Sequence, residues 1–185
     1  MMLRKDRLTI KAKSEGLRAR SAYKLFQLND KFRIIKKGDS VLDLGCWPGG
    51  WLIAAKKLGA FRLVGIDLND IEPIPGVEAY RGDAVEVAKT LEEKFDVVLS
   101  DMAPKTTGII NIDVDRSLGL AEMAFEIAID KLKPKGNFLV KVFQGKGFNE
   151  FVLELRKHFS SVRIAKPEAS KMRSKELYVV AMGLK

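Results

Sequence analysis

Lys141 stands inside the apolar run Leu139-Val140-Lys141-Val142-Phe143, and Asp101 ends another, Val97-Val98-Leu99-Ser100-Asp101, just ahead of Met102-Ala103-Pro104. A lysine between two valines is costly to bury unless it is paired or functional. If the two runs are neighbouring strands, amine and carboxylate lie side by side at one edge of a sheet. Such a pair can orient a hydroxyl nucleophile or help remove its proton. The alternative for Lys141 is a lysine that snorkels from a strand end.

A second constellation begins at Val41-Leu42-Asp43-Leu44-Gly45-Cys46-Trp47-Pro48-Gly49-Gly50-Trp51. An apolar strand runs into a glycine-rich turn and a helix follows at once, the place where open α/β sheets bind ligands. Gly45, Gly49 and Gly50 let the backbone pass close to a ligand. No Gly-Lys-Ser/Thr follows, and the Gly-x-Gly-x-x-Gly spacing is absent, so neither usual phosphate loop fits. Asp43 precedes the glycines, where it suits a cofactor with a cationic end and would repel a pyrophosphate. Asp67 ends the next strand and can accept from both hydroxyls of a ribose. Asp83, in Arg81-Gly82-Asp83, can accept from an adenine amino group. The cofactor implied is S-adenosylmethionine, spread over three strand ends. Taken singly, each aspartate is also explained as a cap of a turn or helix.

The elements that must position these groups are legible from pattern. Apolar runs at residues 40–46, 62–68, 77–82, 95–101 and 137–143 read as strands, and 161–165 and 177–183 as two closing strands. Helical patterns lie at 21–34, with Ser21 as its cap, then at 50–58, 84–93 and 114–132. A further stripe is formed by Phe148, Phe151, Val152, Leu155 and Phe159. This alternation predicts an α/β fold of seven strands, mostly parallel, with helices on both faces. The last two strands lack a crossover helix, so an antiparallel strand is expected at one edge. Residues 1–34 read as a basic arm and helix, and 35–185 as the sheet domain, together one folded unit.

Composition narrows the function. The 185 residues suit one domain, and 46% apolar with 31% charged is an ordinary globular balance. One cysteine excludes a disulfide framework or Cys-rich zinc site, and one histidine leaves little for a His-based metal site, so no metal is expected. No apolar run approaches a membrane span, and no signal-like stretch follows the N-terminus, so a cytoplasmic protein is expected. The net charge is +9, and residues 1–24 hold eight basic against two acidic residues. A polyanion such as nucleic acid is the simplest partner; a Lys- and Glu-rich, heat-adapted surface is the alternative.

The motifs together resemble the FtsJ (RrmJ) family of S-adenosylmethionine-dependent RNA ribose 2′-O-methyltransferases, from about Arg18 to Lys185. The resemblance implies a Rossmann-like methyltransferase fold and a Lys-Asp-Lys-Glu tetrad. Lys24 in Arg20-Ser-Ala-Tyr-Lys-Leu takes the first lysine, Asp101 the aspartate, Lys141 the second lysine, and Glu176 in Arg173-Ser-Lys-Glu-Leu-Tyr the glutamate. It implies cofactor contacts at Gly49, Trp51, Asp67, Asp83 and Asp101. Trp47 departs from the family, whose loop has a small residue there; it could narrow the cofactor mouth or add packing surface.

A ribose hydroxyl is hardly ionised at neutral pH and needs a base or a steering cation. Lys141 is the candidate proton acceptor. Burial and Lys24 would favour its neutral form, Asp101 and Glu176 its charged form, and the sequence leaves the balance open. Charged, it could still act by orientation. Lys24 and Glu176 are assigned to positioning and charge balance, and Asp101 to aligning Lys141 and the methyl donor. Arg4, Lys5, Arg7, Lys11, Lys13, Arg18 and Arg20 on one side, and Lys171 and Arg173 on the other, are expected to contact RNA phosphates. The expected substrate is a uridine ribose of large-subunit ribosomal RNA, methylated within the subunit by a monomer. Transfer RNA methylation and a non-catalytic assembly factor are the alternatives. Cys46 lacks an activating base, His158 reads as structural or exposed, and Gly145-Lys146-Gly147 reads as a turn.

Overall fold

The computed structural model describes residues 7–170 and 174–185. Its elements are α1 (Arg7–Ser14), α2 (Ala22–Phe32), β1 (Ser40–Leu44), α3 (Gly50–Lys57), β2 (Arg62–Asp67), β3 (Glu78–Arg81), α4 (Ala84–Thr90), β4 (Phe95–Ser100), α5 (Ile110–Lys131), β5 (Leu132–Phe143), α6 (Phe148–His158), β6 (Phe159–Ala165) and β7 (Glu176–Leu184). The seven strands form one sheet in the order β3-β2-β1-β4-β5-β7-β6. All pairs from β3 to β5 are parallel, and β7 runs antiparallel to both β5 and β6. The antiparallel pair thus lies at one edge, with β7 second from it and β6 outermost. Strand order reverses between β1 and β4, so a crevice opens where both strands end.

Alternation along each strand sends successive residues to opposite faces. Leu42, Val98, Val140 and Val179 pack on one side with α4, α5 and α6 residues. Val41, Val97, Leu139, Tyr178 and Val180 pack on the other with Ala12, Leu17, Leu25, Leu28, Trp51 and Leu52. Lys141, two residues after Leu139, therefore faces the α2 and α3 layer.

The structure differs from the sequence reading in several local places, and β5 begins at Leu132, five residues ahead of the expected strand. Ser21 makes no side-chain cap to α2; it is itself helical at φ −59°, and α2 ends at Phe32, two residues early, with Arg33 as its cap at φ 55°. Residues 7–14 form a helix where an arm was expected. α5 begins at Ile110, ahead of its apolar stripe, because the Asp113 carboxylate accepts from the backbone of Thr107 (2.7 Å) and Gly108 (3.2 Å). Among the described residues no helix is long and apolar enough to cross a membrane.

Candidate active site

Strand register brings the expected chemistry together. β4 and β5 pair Ser100 with Val140, which sets Asp101 beside Lys141. β5 and β7 pair Lys141 with Tyr178 and Phe143 with Glu176. Glu176 and Tyr178 are two apart, so both project toward α2, which presents Lys24 from a buried face.

The result is a chain of contacts centred on Asp101. Lys141 Nζ lies 3.0 Å from Asp101 Oδ1 and also donates to the main-chain carbonyl of Asp101. The Tyr178 hydroxyl donates to the same Oδ1 at 2.8 Å and accepts from Lys24 Nζ at 3.2 Å. Lys24 Nζ forms a tight ion pair with Glu176 and sits 5.5 Å from the Tyr178 ring centre. Both lysines are buried. Burial alone would raise the Glu176 carboxyl, but the hydrogen bond and charge of Lys24 hold it below the ordinary carboxylate range. Burial, then the charges of Asp101 and Glu176, push the Tyr178 phenol well above its ordinary value, so it stays a neutral donor.

Tyr178 was missed from sequence. A buried tyrosine hydroxyl needs a partner, and a tyrosine inside the run Leu177-Tyr178-Val179-Val180 was the available signal.

A cavity of about 550 Å³ adjoins this chain through Asp101. Its lining includes Gly45, Trp47, Asp67, Asp83, Asp101 and Met102, residues from the carboxyl ends of four strands. Gly45 stands at φ 76°, and a Cβ there would lie 2.5 Å from Met102 Cγ, so the crevice closes to this width only with glycine. Asp67 Oδ2 accepts from the Trp47 backbone (2.9 Å) and Oδ1 from the backbone and side chain of Asn69 (2.8 and 3.0 Å). Both acceptor sites of Oδ1 are thus taken and one remains on Oδ2, in a residue that lines the cavity. Asp83 caps α4, with Oδ1 accepting from Val85 (2.9 Å) and Glu86 (3.3 Å), and also borders the cavity. The capping explanation of Asp83 thus holds, and the residue also stands where a cavity ligand could reach it. Trp47 is 58% exposed at the cavity mouth, so its ring adds no interior packing.

Four expected cofactor residues are not on the cavity wall. Asp43 is fully buried in β1, with neither oxygen hydrogen-bonded. Burial, then the charges of Asp101 and Asp67, hold its carboxyl well above the ordinary range. Gly49, Gly50 and Trp51 turn toward the N-terminal segment. A Cβ on Gly50 would meet Ala19 Cβ at 3.1 Å, and the Trp51 indole donates to the Ser21 carbonyl at 2.9 Å. Cys46 is buried, and burial, with Asp43 and Asp67, pushes its thiol up, which suits packing and not nucleophilic chemistry.

The expected RNA contacts divide. Arg4, Lys5, Lys171 and Arg173 lie outside the described residues, and for Arg7 and Lys13 only the α1 backbone is described. Lys11 is exposed on α1, 3.7 Å from Glu15 and over the Tyr23 ring. Arg20 is half-buried. Arg18 departs from the expectation of a phosphate contact: its guanidinium donates to the carbonyls of Glu72 (2.6 Å), Pro73 (2.9 Å) and Pro48 (3.3 Å). His158 ends α6 against Glu154 and the Phe125 ring, a structural setting. Gly147 takes φ 81° and opens α6. Among the described residues no group of His, Cys, Asp and Glu is arranged to hold a metal ion.

A protein from Methanothrix thermoacetophila named ribosomal RNA large subunit methyltransferase E is 47% identical over 97% of this chain and 73% of its own length. One of the same name from Archaeoglobus fulgidus is 46% identical over 96% of this chain and 95% of its own. A crystal structure from Plasmodium falciparum, described as a ribosomal RNA methyltransferase, superposes with a TM-score of 0.77 at 27% identity, over 90% of this chain and 98% of that one. A Streptococcus mutans methyltransferase solved with SAH shares the fold at a TM-score of 0.58 and 15% identity, over 88% and 95%. The profile of the FtsJ-like methyltransferases matches residues 17–184, and the chain belongs to that family.

Proposed function

We propose that this protein transfers a methyl group from S-adenosylmethionine to a ribose 2′-hydroxyl, that of a uridine, in large-subunit ribosomal RNA. The observation that carries the reading is the convergence of Lys141, Tyr178 and, through Tyr178, the Lys24–Glu176 pair on Asp101, at the edge of the cavity. The names of the relatives supply the RNA.

The residues present fit the cofactor. The buried, unpaired Asp43 carboxylate, repelled by its acidic neighbours, suits the positive charge that this ligand carries. Asp67 would hold the ribose and Asp83 the adenine edge. Gly49, Gly50 and Trp51 would shape the loop from behind. Once bound, the cofactor supplies an electrophilic methyl on a sulfonium. As the neutral amine, Lys141 would accept the 2′-hydroxyl proton, and the cofactor would supply the methyl group and the sulfur leaving group. Asp101 fixes Lys141 through its carboxylate and its carbonyl, so the amine is already in place when the hydroxyl arrives. Lys24 and Glu176 position and balance this charge. The reading includes a cytoplasmic monomer acting on the assembled subunit. Lys11, Arg20 and the basic residues at 4–13 and 171–173 would meet phosphates.

The test is methyl transfer from labelled S-adenosylmethionine to large ribosomal subunits lacking the modification, with nucleoside analysis. Wild type is expected to yield a 2′-O-methylated uridine, and Lys141→Ala a loss of about a hundredfold or more. Labelling of transfer RNA but not subunits would keep the chemistry and overturn the substrate. Cofactor binding with no RNA labelled would favour an assembly factor.

A further inference from the structure

Arg18 was expected on the RNA, but it is turned inward. Its side chain is only 22% exposed. The Nη1 group donates to Pro48 in the glycine loop and to Glu72, and Nη2 donates to Pro73. Glu72 and Pro73 belong to the β2–β3 connection, which begins just after Asp67. One guanidinium therefore joins three separate stretches: the segment ahead of α2, the glycine loop, and the connection after the ribose-side aspartate. Its acidic partner is the exposed Glu72 side chain, at 3.9 Å.

The packing around it is tight. Gly49 stands at φ 101°, and a Cβ there would meet Ile74 Cδ1 at 2.6 Å and Arg18 Nη1 at 3.4 Å. Ile74, from the same connection, is buried. Ala19 and Ser21, which follow Arg18, press on Gly50 and Trp51. The outer side of the glycine loop is thus backed by residues 18–21, while its inner side borders the cavity.

We infer that Arg18 is a positioning residue for the methyl-donor site: its guanidinium clamps the glycine loop to the β2–β3 connection and so sets the width of the cofactor cavity. This rests on the proposal that the cavity holds S-adenosylmethionine. The planar fork is what the task requires, since several donors in fixed directions reach carbonyls on different segments. A lysine keeps the charge but carries a single donor group that cannot span them. Lysine thereby separates the two roles. A phosphate contact largely survives Arg18→Lys, whereas a clamp does not.

The experiment measures SAH affinity by calorimetry without RNA, and affinity for a large-subunit rRNA fragment at two salt concentrations. It compares wild type, Arg18→Lys, Arg18→Ala and Lys11→Ala, with thermal midpoints recorded for each. Both Arg18 variants are expected to bind SAH roughly tenfold more weakly, as loss of a charge-assisted hydrogen bond implies. The Michaelis constant for the donor should rise by a similar factor, with kcat at saturating donor nearly kept. RNA affinity and its salt dependence should be retained in Arg18→Lys. Lys11→Ala should do the reverse. Added guanidinium, but not ammonium, should restore SAH binding to Arg18→Ala. Wild-type SAH affinity in Arg18→Lys overturns the clamp. So does a lowered thermal midpoint with SAH affinity intact, which marks a merely structural contact. Failure of wild type to bind SAH would instead overturn the reading of the cavity.

Discussion

A buried ion pair is costly to form and more costly to break, and the Lys24–Glu176 pair shows how this bears on one residue. Glu176 owes its lowered carboxyl to Lys24, which outweighs the burial that would raise it. A carboxylate lowered by folding contributes stability above its unfolded value of about 4.3, and that contribution is lost as pH falls through the folded value. Lys24→Met removes the partner and leaves burial in charge, so the sign reverses and stability is lost as pH rises. Chemical denaturation should show a deficit of about 3 kcal/mol for Lys24→Met near neutral pH, shrinking as the pH is lowered past 4. A deficit that does not change with pH would mean that Glu176 is not what Lys24 stabilises. The resemblance made this pair legible by its motifs. The tyrosine between the pair and Asp101 was not, because its role depends on the antiparallel register of Lys141 with Tyr178.

Elements were legible where burial is periodic and less so where polar contacts decide. Strands β1, β2 and β4 are largely apolar on both faces and were placed within a residue or two, since nothing else accounts for runs such as 95–101, whereas β5 starts five residues ahead of its expected run. α1 went unseen because its basic residues hide a face on which Ala12 is buried, packed with Leu17 from the turn beyond. The early start of α5 depends on the Asp113 carboxylate reaching back into a loop, and no period records that. The cofactor residues divide in the same way. Those at strand ends line the cavity, whereas Gly49, Gly50 and Trp51 back the loop, because a turn has two sides and sequence does not say which is which. Asp43, on β1, carries a prediction at this scale. Its carboxyl is raised by burial, then by Asp101 and Asp67, so its contribution to stability is lost as pH rises above the unfolded value of about 3.9. Asp43→Asn should therefore gain on wild type in ligand-free thermal midpoint between pH 4 and pH 7. SAH should in turn raise the midpoint of wild type more than that of Asp43→Asn. Equal shifts would show that the charge of Asp43 does not contribute to binding.

Across the whole molecule the excess of +9 does not act as one field. Several basic side chains are spent internally. Arg18 holds carbonyls, Lys24 and Lys141 belong to the buried chain, Lys131 donates to Leu91, and Lys133 pairs with Asp96 at the opposite end of the sheet. The charge left for a polyanion is concentrated in the N-terminal residues, which lead into Lys24, and in the connection that leads into its partner Glu176. If these residues meet phosphates, RNA affinity falls linearly with salt on logarithmic axes, each lost contact flattening the slope by roughly 0.7 on single-stranded RNA. Arg4→Ala with Lys5→Ala should flatten it by up to about 1.4, and Lys11→Ala by about 0.7. Arg18→Ala should leave the slope unchanged, because the guanidinium it removes is already committed to carbonyls. A slope insensitive to Arg4, Lys5 and Lys11 would mean that the N-terminal charge serves solubility, and that the RNA is held by its fit to the cleft alone.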